Sequence, residues 1–160
     1  MGCSVEQNIW GYDLEKNSLG DGLIYFFESD IERLSLTFFD TMDYELAAEF
    51  IDESSTLFES LFEEQRVGYA GQHTRFISCP EEYKPLAFSQ NISQGKITYF
   101  ISYANSNFVA GVCVDDLIMY KSVHGWIYCD LSRKLIQVDY FISKDLDVNT
   151  FIEKITCEGI

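Results

Sequence analysis

KITYFISYANSNFVAGVCVDDLIMYKSVHGWIYCDLSRKLIQVDYFI, residues 96–142, sets β-branched and aromatic runs between short polar breaks, and its reading decides the fold class. The runs KITYFISYA, NFVAGVCV, LIMYKSV, GWIYCDL and KLIQVDYFI, with RFISC (75–79) ahead of them, read as strands. Asn105 to Asn107, the pair His124 and Gly125, and Leu131 to Arg133 supply turn chemistry for hairpins. An antiparallel meander of about four to six strands over 75–142 is the expectation.

Upstream lies YELAAEFIDESSTLFESLFEEQ, residues 44–65. Ala47, Phe50, Ile51, Ser54, Phe58, Leu61 and Phe62 recur with helical spacing, and Thr41 or Asp43 can cap the start, so the segment predicts a helix of roughly six turns. Before it, LIYFF (23–27) reads as a short strand. ESDIERLSLTFFD (28–40) offers Ser29 or Asp30 as an N-cap and a brief helical pattern. Near the end, Asp147 or Asn149 can cap a helix over 147–157 whose apolar stripe is Val148, Phe151, Ile152 and Ile155. The predicted class is α+β: an N-terminal helical region (1–65) packed on a C-terminal antiparallel meander (75–142), closed by a C-terminal helix. Residues 1–160 form one domain.

With 47% apolar and 16% aromatic residues, the chain can fold around a real core despite a net charge of -15. No apolar run approaches the roughly eighteen residues that span a bilayer, and the first residues lack a basic and apolar leader. Gly2 follows Met1, but Glu6 stands where a myristoylation signal wants Ser or Thr. Five cysteines, Cys3, Cys79, Cys113, Cys129 and Cys157, are scattered and never spaced as C-x-x-C. That arrangement predicts no disulfide framework or zinc knuckle, and a reducing, cytoplasmic setting.

Little in the sequence points to chemistry. His73 and His124 are the only histidines, the first in a glycine-containing loop and the second in a predicted turn. The loop GYAGQHT (68–74) matches no phosphate-binding pattern. Asp115 and Asp116 sit in an expected turn, where neighbouring strand residues diverge to opposite faces. The sequon at Asn91 has no secretory context. No cofactor and no metal is implied. Nucleic acid and anionic membranes are excluded as partners, because phosphate contacts need clustered bases and only Arg133 and Lys134 are adjacent.

Charge is the distinctive feature. Residues 1–65 hold sixteen acids against two bases, whereas 66–160 hold ten against nine. On the predicted helix, seven carboxylates meet no lysine or arginine. Glu45, Glu49, Asp52, Glu59 and Glu63 share one face, opposite Phe50, Phe58 and Leu61, with Glu53 and Glu64 flanking it. Like charges four apart oppose a helix by roughly 0.2–0.5 kcal/mol per pair, so a helix selected for stability alone would interleave lysines.

Two readings compete. One is a solvated face that serves solubility. The other is a docking face for a basic protein, formed by Glu45, Glu49, Asp52, Glu53, Glu59 and Glu63. In size, charge and class the chain resembles bacterial immunity proteins and antitoxins, which implies a non-catalytic protein that neutralises a basic toxin such as a nuclease by stoichiometric binding. Two alternatives stand beside it: a DNA-mimicking decoy of phage origin, and a small enzyme assembled from Cys79, His73 and Asp116.

Overall fold

A computed structural model of the chain describes residues 7–16, 23–60, 65–67, 75–77 and 80–160. The N-terminal part begins with β1 (Gln7–Ile9) and β2 (Tyr12–Lys16), then β3 (Leu23–Glu28) and β4 (Glu32–Phe38). Helix α1 (Tyr44–Ser60) follows, then the small hairpin β5 (Gln65–Val67) and β6 (Arg75–Ile77). A four-stranded run completes the sheet: β7 (Leu86–Ile92), β8 (Gly95–Ala104), β9 (Tyr120–Cys129) and β10 (Lys134–Ser143). A single turn of helix, α2 (Asn149–Ile152), comes last.

The expected helical N-terminal region is overturned. Four strands precede α1, and they extend the meander rather than pack on it. The main sheet has eight antiparallel strands in the order β1-β2-β3-β4-β10-β9-β8-β7. Two consecutive four-strand runs are joined side by side where β4 pairs with β10, Leu36 opposite Val138 and Leu34 opposite Tyr140.

The sequence reason lies in residues 28–40. Leu34, Leu36 and Phe38 alternate with Arg33, Ser35 and Thr37, a period of two, and Leu34 and Leu36 are fully buried. Ser29, expected as a helix cap, instead ties the β3–β4 turn: its hydroxyl accepts from the Glu32 amide at 3.2 Å. The first hairpin turns at Trp10 and Gly11, whose φ angles of 52° and 85° give the doubly left-handed geometry of a two-residue loop. Trp10 is held there by its indole N–H, which donates to the Thr156 carbonyl at 2.8 Å.

Three further expectations change. His124 and Gly125 do not form a turn; YKSV (120–123) and GWIYC (125–129) are continuous in β9. Glycine is required for a different reason, because a Cβ at Gly125 would lie 2.6 Å from both the Thr98 carbonyl oxygen and Tyr99 Cβ on the adjoining strand. NFVAGVCV is irregular apart from one bridge between Ala110 and Ala104, and the strand that flanks β8 is instead LAFSQNI, β7. The helix expected over 147–157 is a single turn. Its stripe of Val148, Phe151, Ile152 and Ile155 is nevertheless buried.

Beyond α2 the chain is drawn along the sheet, where the Cys157 amide donates to the Ser93 carbonyl at 3.0 Å. There Cys157 is joined to Cys129 at the end of β9 by a disulfide, Cα to Cα 5.4 Å. Cys113 is disulfide-bonded as well. The expectation of unpaired thiols therefore fails: Cys129 and Cys157 are 28 residues apart, and only the docking of the C-terminal segment makes them neighbours.

The sheet has two unlike faces. On one, Ile97, Val123, Ile127, Ile136 and Val138 form the main core with Leu14, Leu34 and Phe151; the Tyr140 ring stacks on Phe151 at 3.9 Å. The other face carries Phe100, Trp126, Tyr128 and Leu135 and is covered by α1 through Ala47, Ile51 and Phe58. No described helix is long and apolar enough to cross a membrane.

Candidate functional site

Helix α1 starts where its sequence predicts. Asp43 Oδ1 accepts from the Leu46 amide at 2.9 Å, the cap that lets the first turn form. The Tyr128 hydroxyl donates to the Met42 carbonyl at 3.0 Å, and the Tyr44 ring meets Tyr128 edge-on at 5.4 Å, which anchors that end to β9. Ala47 is fully buried beneath the helix.

From that anchoring follows the placement of the acids. Glu45, Glu49, Asp52, Glu53 and Glu59 are all exposed. Glu63 and Glu64 lie outside the described residues. Among the described residues the one lysine or arginine ion pair is Lys84 with Glu81, so no described base meets an α1 carboxylate. Large apolar side chains are interleaved with these acids. Leu57 is 69% exposed and Leu46 54%, and Tyr44 also faces solvent. Phe50, expected within the buried stripe, is exposed at the margin, where its ring tilts against Phe39 at 5.4 Å.

Packing beneath the helix is incomplete. Among the described residues Ser55 Oγ and Trp126 Nε1 are buried and have no hydrogen-bond partner. A buried polar group left unpaired costs about 1–3 kcal/mol, so this face is held less firmly than the core face.

Under the C-terminal half of α1 lies a pair that the sequence did not suggest. His124 on β9 stands directly opposite Asp139 on β10. His124 Nδ1 is hydrogen-bonded to Asp139 Oδ1, and Gln137 Nε2 donates to Asp139 Oδ2 at 3.2 Å. Phe58 of α1 stacks on the imidazole at 4.8 Å, and Trp126 meets it edge-on at 4.9 Å. A carboxylate on Nδ1 orients a histidine so that Nε2 can act as a base. Among the described residues no hydroxyl or thiol is hydrogen-bonded to it. The signal that could have revealed this pair is register: once 121–129 is one strand antiparallel to 134–143, His124 and Asp139 must face each other.

Of the three residues expected to assemble an enzyme site, only Asp116 is among the described residues. His73 and Cys79 lie outside the described residues, and Asp116 is exposed in a single 3-10 turn, Asp115–Leu117. Its neighbour Asp115 accepts from the Tyr83 hydroxyl at 2.9 Å. Among the described residues no group of three or more His, Cys, Asp or Glu side chains is placed to hold a metal ion. No protein-family model, no curated protein and no solved structure matches this chain.

Proposed function

We propose that this protein is a stoichiometric binding protein that neutralises a basic toxin domain, with α1 as its docking face. One observation carries the reading: five exposed carboxylates along one helix, unmet by any described base and interleaved with exposed Leu46 and Leu57. Carboxylates at that density speed the encounter with a basic surface, to as much as about 10⁸–10⁹ M⁻¹s⁻¹ at low salt. The leucines and Tyr44 supply the apolar contact that holds a complex once formed. A nuclease fits this description, because its phosphate-binding surface is basic and the carboxylates would stand where phosphates do. The same surface would serve a decoy that mimics DNA, and the identity of the partner separates the two.

A cytoplasmic location rests on reduced cysteines, whereas the Cys129–Cys157 bond favours an oxidising compartment. Thiol labelling of the protein taken directly from its source cells decides between them.

Co-expression with a candidate basic toxin domain, sought first in the reading frames adjacent to this gene, tests the function. Growth should be rescued by the wild-type chain. Reversal of Glu45, Glu49, Asp52, Glu53 and Glu59 to lysine should abolish both rescue and complex formation while leaving the circular dichroism spectrum unchanged. Affinity should fall steeply with salt, because exposed charges are screened over about 8 Å at physiological ionic strength. Retained affinity in the reversed variant would remove α1 as the docking face.

The His124–Asp139 pair is the observation that favours an enzyme instead. On the binding reading His124→Gln leaves rescue intact; loss of rescue with an intact complex would support catalysis.

A further inference from the structure

The sheet face turned away from α1 carries a second concave site, built around Glu32. Glu32 opens β4, Tyr12 opens β2 and Tyr140 lies in β10. Both phenols converge on one carboxylate oxygen: Tyr12 donates to Oε2 at 3.0 Å and Tyr140 at 2.6 Å. Among the described residues no group donates to Oε1. Burial is the main cause that pushes the Tyr12 hydroxyl up to about 12, and burial followed by the bond to Glu32 raises Tyr140. Both therefore remain protonated donors at neutral pH and hold the carboxylate in one orientation.

Glu32 lines a cavity of about 250 Å³. Tyr12, Tyr140, Ile31, Ile142, Leu146 and Asp147 line it with Glu32. Two acids thus face one base, Lys154. That lysine already shows what the site attracts, because its ammonium sits 5.3 Å from the centre of the Tyr12 ring.

We propose that this cavity binds an organic cation, a guanidinium or primary ammonium on a short alkyl stem, whose charged head pairs with the open Oε1 of Glu32. A carboxylate with one oxygen held by two phenols offers the other oxygen at little cost in rotamer entropy. The apolar walls suit the stem, and the Tyr12 ring adds attraction for the head. Lys154 is a resident competitor at the rim. The site is independent of the α1 reading, since it lies on the other face of the sheet.

The test is a titration of the full chain, with ¹³C-labelled tyrosine, by n-butylguanidinium, using n-butanol as the neutral control. Tyr12 and Tyr140 resonances should shift and saturate in the millimolar range with the cation and not with the alcohol. Glu32→Gln, which keeps an acceptor for the phenols, should weaken binding about tenfold or more. Lys154→Ala, at an exposed position, should tighten it by up to about fivefold. Unchanged affinity in Glu32→Gln, or weaker binding in Lys154→Ala, would overturn the proposal. Should Glu32→Gln fail to fold, the direction of the Lys154→Ala change decides alone. N-acetyl-glycyl-arginyl-glycinamide distinguishes the source of the cation: binding at least as tight as that of butylguanidinium supports a partner's side chain, and its exclusion while butylguanidinium binds supports a free small cation. Saturation by neither overturns the site.

Discussion

The two faces of the eight-stranded sheet are built from the same strands and are held by different means. Toward Phe151 the strands present Ile136, Val138 and Tyr140 to a layer made of the first hairpin and the C-terminal segment, and a disulfide pins that segment to β9. Toward α1 they present Leu135, Gln137 and Asp139 to one amphipathic helix, with two buried polar atoms unpaired among the described residues and the Leu46 and Leu57 side chains largely exposed. Alternation along a single strand therefore feeds a closed core on one side and an open, charged layer on the other. Stability is concentrated on the first side, which leaves the second free to carry surface chemistry that stability alone would disfavour.

This contrast can be broken at its strongest point. Phe151→Ala should cost about 3–5 kcal/mol in urea unfolding, since Phe151 is fully buried and its ring is stacked on Tyr140. Phe50→Ala, on the α1 side and already exposed, should cost less than about 1 kcal/mol by the same measurement. Equal losses would mean that the helix belongs to the core after all.

Replacing Cys129 and Cys157 together by serine should lower stability by about 3–4 kcal/mol, the chain-entropy value for a loop of 28 residues. Hydrogen exchange should then speed up in 149–157 before it does in α1. A loss below about 1 kcal/mol would show that packing alone holds the C-terminal segment.

A smaller effect than that of the disulfide is expected at the helix start. Asp43→Ala removes the cap on Leu46 and should cost about 1 kcal/mol, seen as faster amide exchange in the first turn of α1 with the sheet amides unchanged.

Legibility followed the range of the interactions. Helix α1, its cap at Asp43 and the exposure of its acids could be read from a period of 3.6 and one capping residue, because both are set within a few neighbours. Strands β8 and β10, and the turn at Leu131 to Arg133, were equally plain. The cavity at Glu32 was not, since Tyr140 reaches Glu32 from 108 residues away and nothing local marks either residue. The segment 28–40 shows the conflict directly: Ser29 fits a helix cap and a turn equally well, and the pairing of Leu36 with Val138 on β10 resolved it in favour of strand.

By itself, then, the sequence determined the strands at 96–104 and 134–142, an amphipathic helix beginning at Tyr44 within the expected 44–65, the four apolar residues that seat the C-terminal segment, and where the charge lies. Tertiary structure decided that the N-terminal part would be strands, that His124 would face Asp139, that Cys157 would reach Cys129, and that two tyrosines would share one carboxylate. Periodicity and capping are written within a turn or two of chain. Sheet order, disulfide pairing and site assembly depend on contacts whose partners become neighbours only when distant segments are packed together.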